Sequence, residues 1–256
     1  MDRIAVIDTE SRRFADAVGG CEPDRPCPTC PDWTAADLLW HLTEVHLFWG
    51  TILADGVRDD AELAAVEAAK PARPQSISEL LELREHATSV LLRQLAARDD
   101  AEPCWSWWPP DQSVGFTRRM QTYEATMHRV DAELTAGLPV GPIADDVASG
   151  AVDHAVDVMW GWMPEGASYR ADCVVEFRST DSGERWLVEV GEWAGPDGAI
   201  APRAVRAGAT AEPTATATAP VAELALWAWT RGGTVRTSGT PTSVAALEKV
   251  IRGGMP

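Results

Sequence analysis

Along the first two thirds of the chain, apolar residues recur at intervals of three and four, the spacing that gathers them on one face of a helix. In residues 2–18 they are Ile4, Val6, Ile7, Phe14, Ala17 and Val18, and Gly19, Gly20 and a Pro- and Cys-rich stretch through residue 32 end that helix. A stronger helix is predicted over 35–54, with Leu38, Leu42, Val45, Trp49, Ile52 and Leu53 as its stripe. Thr34 and Asp37 at its start have the form of a capping box. A loop holding Pro71 and Pro74 leads to Ser76 and a leucine-rich helix of about 77–98. Residues 99–116, with Trp105, Trp107, Trp108, Pro109 and Pro110, read as irregular, because proline cannot continue a helix. A fourth helix is expected over about 117–136. A fifth, over about 143–162, carries Val147, Ala151, Val152, Ala155, Val158 and Met159 on one face.

The period then changes from near four to two. Residues 172–179 and 185–193 alternate as strands do, and Asp181, Ser182 and Gly183 between them suit a hairpin turn. The Thr/Ala-rich segment 212–218 reads as a third strand, 220–231 as helix, 233–238 as extended chain and 241–252 as helix. The expected fold class is α+β: a helical bundle over 1–163, then a small α+β domain over 164–256. No internal repeat is visible.

Composition narrows the partners. At 256 residues and 45% hydrophobic, the chain has material for two packed cores. A net charge of −17 repels phosphate backbones and disfavours nucleic-acid binding. No apolar run is long enough for a membrane span and no signal peptide is visible, so a soluble cytoplasmic protein is expected. Five cysteines, an odd number, fit a reducing compartment better than a disulfide framework. Several of the twelve tryptophans fall in apolar helical patterns and read as core, while Trp186, Trp193, Trp227 and Trp229 read as core or as a wall over a cleft. Nothing in the sequence sets an oligomeric state.

Candidate chemistry concentrates on two helices. Glu124 and His128 in RRMQTYEATMHRVDAE are four apart, so they lie ~40° apart around the helix and one turn along, close enough to share an ion. A hydrogen-bonded surface pair would have the same spacing. A third ligand must come from another helix, and His41 in DLLWHL is the leading candidate. Glu44, three residues on, competes for that place; His46, ~140° around the helix, is read as lining a pocket rather than sharing the ion. Two histidines and a carboxylate leave coordination positions open, which suits catalysis more than a closed structural site. His86 and His154 have no partner at useful spacing. Cys27 and Cys30 form a CxxC, a pattern used by redox pairs and by halves of zinc sites; with no second CxxC, incidental or structural cysteines are favoured.

At these residues the chain resembles a known family. CPDWTAADLLWHLTEVHLFW followed by RRMQTYEATMHRVDAE is similar to the mycothiol-dependent maleylpyruvate isomerase family of the DinB-like bundle superfamily. The tail APVAELALWAWTRGGTVRTSGTPTSVAALEKVI resembles the smaller sterol-carrier-like domain often attached to it. The resemblance implies a DinB-like four-helix bundle with a divalent metal, usually zinc, on His41, Glu124 and His128. It also implies mycothiol, the small thiol of actinobacteria, as cosubstrate, and an activity as isomerase or thiol S-transferase on a small electrophilic substrate. The Trp-rich insert 104–110 and the CPTC before Trp33 match no feature of the family. Arg118, Arg119 and Arg129 flank the metal pair and are candidates to clamp a substrate carboxylate, the alternatives being a solvated face or a pair with Asp131 or Glu133. Asp131 is placed to orient a ligand histidine or to pair with Arg129. Two rival functions stay open: a non-haem Fe(II) oxygenase, which uses the same ligand types, and a non-enzymatic ligand-binding or resistance module.

Overall fold

The computed structural model describes residues 1–255 as two compact units, Met1–Gly141 and a second starting at Pro142. In the first, α1 (Arg3–Val18) leads to a hairpin of β1 (Pro26–Cys27) and β2 (Cys30–Thr34), then to α2 (Ala35–Asp55). A short α3 (Leu63–Ala69) precedes α4 (Ile77–Ala96) and α5 (Val114–Ala136). The capping box forms as expected: Asp37 N donates to Thr34 Oγ1 at 3.2 Å and Thr34 N donates to Asp37 Oδ2 at 2.9 Å. Such a cap is worth about 1 kcal/mol and sets where α2 begins. Gly56 and Gly137 end α2 and α5 in the left-handed conformation, with φ of 66° and 74°.

Helix directions follow from which residues meet. Arg3 donates to Tyr123, Arg129 to Glu10 and Arg13 to Glu133, a near-constant offset, so α1 and α5 run parallel. His46 meets Thr88, and a Cβ on Gly50 would lie 3.4 Å from Val90, so α2 and α4 also run parallel and approach closely at Gly50. His41 faces His128, while Val57 O, just past α2, accepts from Trp105 N ahead of α5, so these two helices are antiparallel. Parallel neighbours cannot be joined by a tight turn. Residues 56–76 make the return crossing, and α3 and the prolines fall in that crossing. The core holds Phe14, Leu38, Leu39, Leu42, Leu80 and Ala132, with Trp33 and Trp40 packed on its margin.

In the second unit, α6 (Asp145–His154) runs into one π-helical turn, Ala155–Met159. The sheet follows, with β3 (Ser168–Ser179), β4 (Arg185–Ala194), β5 (Ile200–Arg206), β6 (Ala215–Ala219) and β7 (Arg236–Gly239). Helix α7 (Val221–Ala228) lies between β6 and β7, and α8 (Pro241–Gly253) follows β7. Strand order is β5-β4-β3-β6-β7, antiparallel except for the parallel β3–β6 pair. Val175, Phe177, Val188, Leu224 and Leu247 are fully buried in its core. The helix near 145, expected with the bundle, belongs to this unit: Trp229, just past α7, donates from Nε1 to Ala151 O at 3.0 Å and stacks on His154. Strand β5 was not expected because Pro202 interrupts it. It lies at the sheet edge, where a missing N–H costs no ladder bond. The fold is thus a four-helix bundle followed by a smaller α+β domain. No helix of the described residues is long and apolar enough to cross a membrane.

Candidate metal centre

Antiparallel packing of α2 and α5 brings His41 opposite His128. Their Nε2 atoms are 3.1 Å apart, and His128 Nε2 is 3.2 Å from Glu124 Oε2. One ligand atom from each of His41, Glu124 and His128 falls within 4.8 Å of the others, the one cluster of three such groups among the described residues. Donors that share a cation through bonds of about 2.1 Å have separations of this size. Trp33 packs its ring 4.6 Å from that of His41 and restricts how the imidazole turns. Glu44, the rival third ligand, points elsewhere and pairs with Lys70 at 3.4 Å.

The environment of His128 favours a cation between these groups. Its Nδ1 is 3.0 Å from the fully buried Asp131 carboxylate and donates to it, which leaves Nε2 as the atom that faces His41 and Glu124. Burial alone disfavours the imidazolium, yet hydrogen bonds to Asp131 and Glu124, with their charges, outweigh it and raise His128 to about 9. Without metal, positive charge at this point is supplied by a proton; a dication meets the same two carboxylates. Asp131 is itself held by Thr29, whose hydroxyl donates to Oδ1 at 2.6 Å. Thr29 lies in the turn between Cys27 and Cys30, a connection across 102 residues that no local pattern announces.

A second polar group of the bundle interior lies beside the triad. His46 is fully buried, and Thr88 Oγ1, which donates to Arg84 O, accepts from His46 Nδ1 at 2.8 Å. Its Nε2 therefore bears a lone pair, and no hydrogen-bond partner for it exists among the described residues. Burial, with the Arg84 charge, lowers His46 to about 3, so the ring is neutral. Glu124, His128 and His41 all exert their charges on it, which places it near the triad. Gln121, three residues before Glu124 and seven before His128, shares their face of α5; it is fully buried, and neither amide atom is hydrogen-bonded among the described residues. An unpartnered buried polar group costs about 1–3 kcal/mol. Sequence reading missed Gln121 because a glutamine in an amphipathic helix carries no signal of its own.

Arg118 and Arg129 are committed away from the triad. Arg118 donates to Leu95 O at 2.6 Å and Arg98 O at 2.9 Å and pairs with Asp100, closing the end of α4. Arg129 is fully buried toward α1, bonded to Glu10 at 2.6 Å, Glu133 at 2.8 Å and Gly141 O at 3.0 Å. Its position next to His128 in sequence turns it ~100° around the helix. Arg119 is partly exposed, ~140° from Glu124 around α5. His86 is exposed, and His154 packs in the second unit.

Two histidines and a glutamate from two interior helices, with one imidazole fixed by a buried aspartate, define a helical bundle with a candidate metal centre. The chain belongs to the mycothiol maleylpyruvate isomerase N-terminal domain family, whose sequence pattern matches residues 4–133. Among solved structures, it is similar to the crystal structure of the mycothiol-dependent maleylpyruvate isomerase. The TM-score is 0.60 at 14% identity, over 93% of this chain and 92% of that one. A mutant of the same enzyme gives 0.59 at 13% identity, with the same coverage. At such identity the likeness speaks to fold. No curated protein sequence matches this chain.

Proposed function

We propose that this chain is a metal-dependent enzyme that uses mycothiol to isomerise a small electrophilic substrate or to transfer the thiol to it. The observation that carries the reading is the convergence of His41, Glu124 and His128, with His128 Nδ1 committed to Asp131. Family membership supports the choice of thiol. His41, Glu124 and His128 would hold the metal, and zinc suits two imidazoles and a carboxylate with positions left open. When bound, such a dication supplies a Lewis-acid centre at which a thiol loses its proton at neutral pH.

The chain's own groups do the rest. Asp131 fixes the His128 tautomer, and Trp33 restricts the ring of His41. His46, neutral and donating through Nδ1 to Thr88, offers Nε2 as an acceptor to a substrate hydroxyl or protonated carboxyl. The Gln121 amide offers both a donor and an acceptor on the Glu124 face. Arg118 and Arg129 have no place in this reading, because their donors are committed to protein acceptors. In isomerisation, the thiol sulfur adds to one alkene carbon, the resulting single bond rotates, and expulsion of the sulfur restores the alkene. In transfer, the adduct takes up a proton and is released.

The test is turnover with mycothiol and maleylpyruvate or a comparable electrophile, with and without stoichiometric zinc. Activity that needs both metal and thiol is expected. Metal-loaded protein with no thiol-dependent turnover on a panel of electrophiles would overturn the enzymatic reading.

A further inference from the structure

We propose that Cys27 and Cys30 form a reversible dithiol–disulfide pair, exchanging with low-molecular-weight disulfides, and that Thr29 and Asp131 carry its state to the metal centre. The dithiol chemistry stands apart from the proposed function; only its readout at the metal rests on that reading.

The geometry is that of a pair ready to close. Cys27 and Cys30 are register partners at the end of the β1–β2 hairpin, across the two-residue turn Pro28–Thr29. Cα atoms of antiparallel partners are about 4.5–5.5 Å apart, inside the range of about 4.4–6.8 Å that a disulfide spans. Both are thiols in this structure. A hydrogen bond shared with the Cys30 sulfur, stronger in effect than the opposing burial, holds the Cys27 thiol below its ordinary range. Cys21 is committed elsewhere, to Ala17 O at 3.4 Å, and Cys104 is buried beside Thr117. Neither cysteine of the pair belongs to a three-ligand cluster among the described residues, which sets the pair apart from a zinc site.

Exposure fixes the order of events. Cys30 is partly exposed and Cys27 is 1% exposed. The Cys30 sulfur attacks a small disulfide as the proton it shares with Cys27 passes to that thiolate, forming a mixed disulfide and releasing one small thiolate, which then takes the proton from Cys27. The Cys27 thiolate then attacks the Cys30 sulfur, forming the internal disulfide and releasing the second thiol. The protein loses two protons and two electrons, and the small disulfide gains them.

The link to the metal is short. Thr29, inside the turn that the new bond would tighten, has its Oγ1 3.4 Å from Cys27 Sγ and donates to Asp131 Oδ1 at 2.6 Å. The other oxygen of Asp131 holds His128 Nδ1. Disturbing a carboxylate that orients a metal-bound histidine typically changes metal affinity 10–100-fold.

Full-length metal-free protein is equilibrated with glutathione disulfide and glutathione at graded ratios, alkylated and mapped by peptide mass, and its zinc affinity is then measured. One Cys27–Cys30 link is expected, reversed by reductant, with zinc affinity changed about 10–100-fold on closure. A Thr29→Val variant should form the link yet lose most of that change. A Cys27→Ser/Cys30→Ser variant should bind zinc at fixed affinity whatever the redox buffer. No such link under strongly oxidising ratios, or sulfur distributed to Cys21 or Cys104, would overturn the pair. A link with unchanged zinc affinity would overturn the coupling. Reduced protein that binds no zinc would count against the metal site itself, while the mapped link still decides the dithiol.

Discussion

His128 and Arg129 are neighbours in sequence on one helix, and both are buried among carboxylates. Arg129 faces α1, where Glu10, Glu133 and Gly141 O take up its donors in a closed network. His128 faces α2, where a second imidazole, a carboxylate and the unpartnered atoms of His46 and Gln121 gather. One side of α5 is a solved electrostatic problem and the other an open one. Buried polar groups that satisfy each other hold a fold together, whereas those that do not are where a ligand belongs.

Exchanging the roles of the two sides is the strongest way to break this contrast. His128→Ala should abolish stoichiometric zinc binding while circular dichroism stays native. Arg129→Met should do the reverse: zinc stoichiometry is kept in folded protein, and denaturant melts show a loss of about 3–5 kcal/mol, because Glu10 and Glu133 keep buried charge with only the partly exposed Arg13 left to balance it. A smaller effect tests the orienting aspartate. Asp131→Asn should weaken zinc about 10–100-fold by calorimetry, with little change in the fold. An unchanged affinity would assign Asp131 to packing alone.

The smallest effects lie in the pH dependence of the metal-free protein, where the two buried histidines have opposite signs. His46 is lowered to about 3 in the fold, so its share of stability is complete above its unfolded value of 6.5 and is lost as pH falls toward 3. His128 is raised to about 9, so its share is complete below 6.5 and is lost as pH rises through 9. Melts of His46→Gln and His128→Ala against pH should flatten the acid and the alkaline limb respectively. One limb unaffected by either change would remove that histidine's assigned environment.

How much of this was legible in the sequence divides along the same line. Helices α2 and α5, the Thr34–Asp37 cap and the i, i+4 spacing of Glu124 and His128 are local, and local pattern found them. Family resemblance chose His41 over Glu44, a choice that periodicity alone left open and that the packing of α2 on α5 accounts for. For Arg129, the pair with Glu133 was one of the readings left open by local spacing, but Glu10 is 119 residues away, on a helix whose direction sequence does not give. Thr29 was invisible for the same reason. The β1–β2 hairpin and α3 are too short for a period to register, and Pro202 hid an edge strand that only the finished sheet explains.

The central claim is the ion itself. A crystal soaked in zinc, with anomalous data collected at its absorption edge, tests it most directly. The account predicts one strong peak about 2.1 Å from His41 Nε2, His128 Nε2 and a Glu124 oxygen; a peak between Cys27 and Cys30 instead, with the triad empty at saturating zinc, would contradict it.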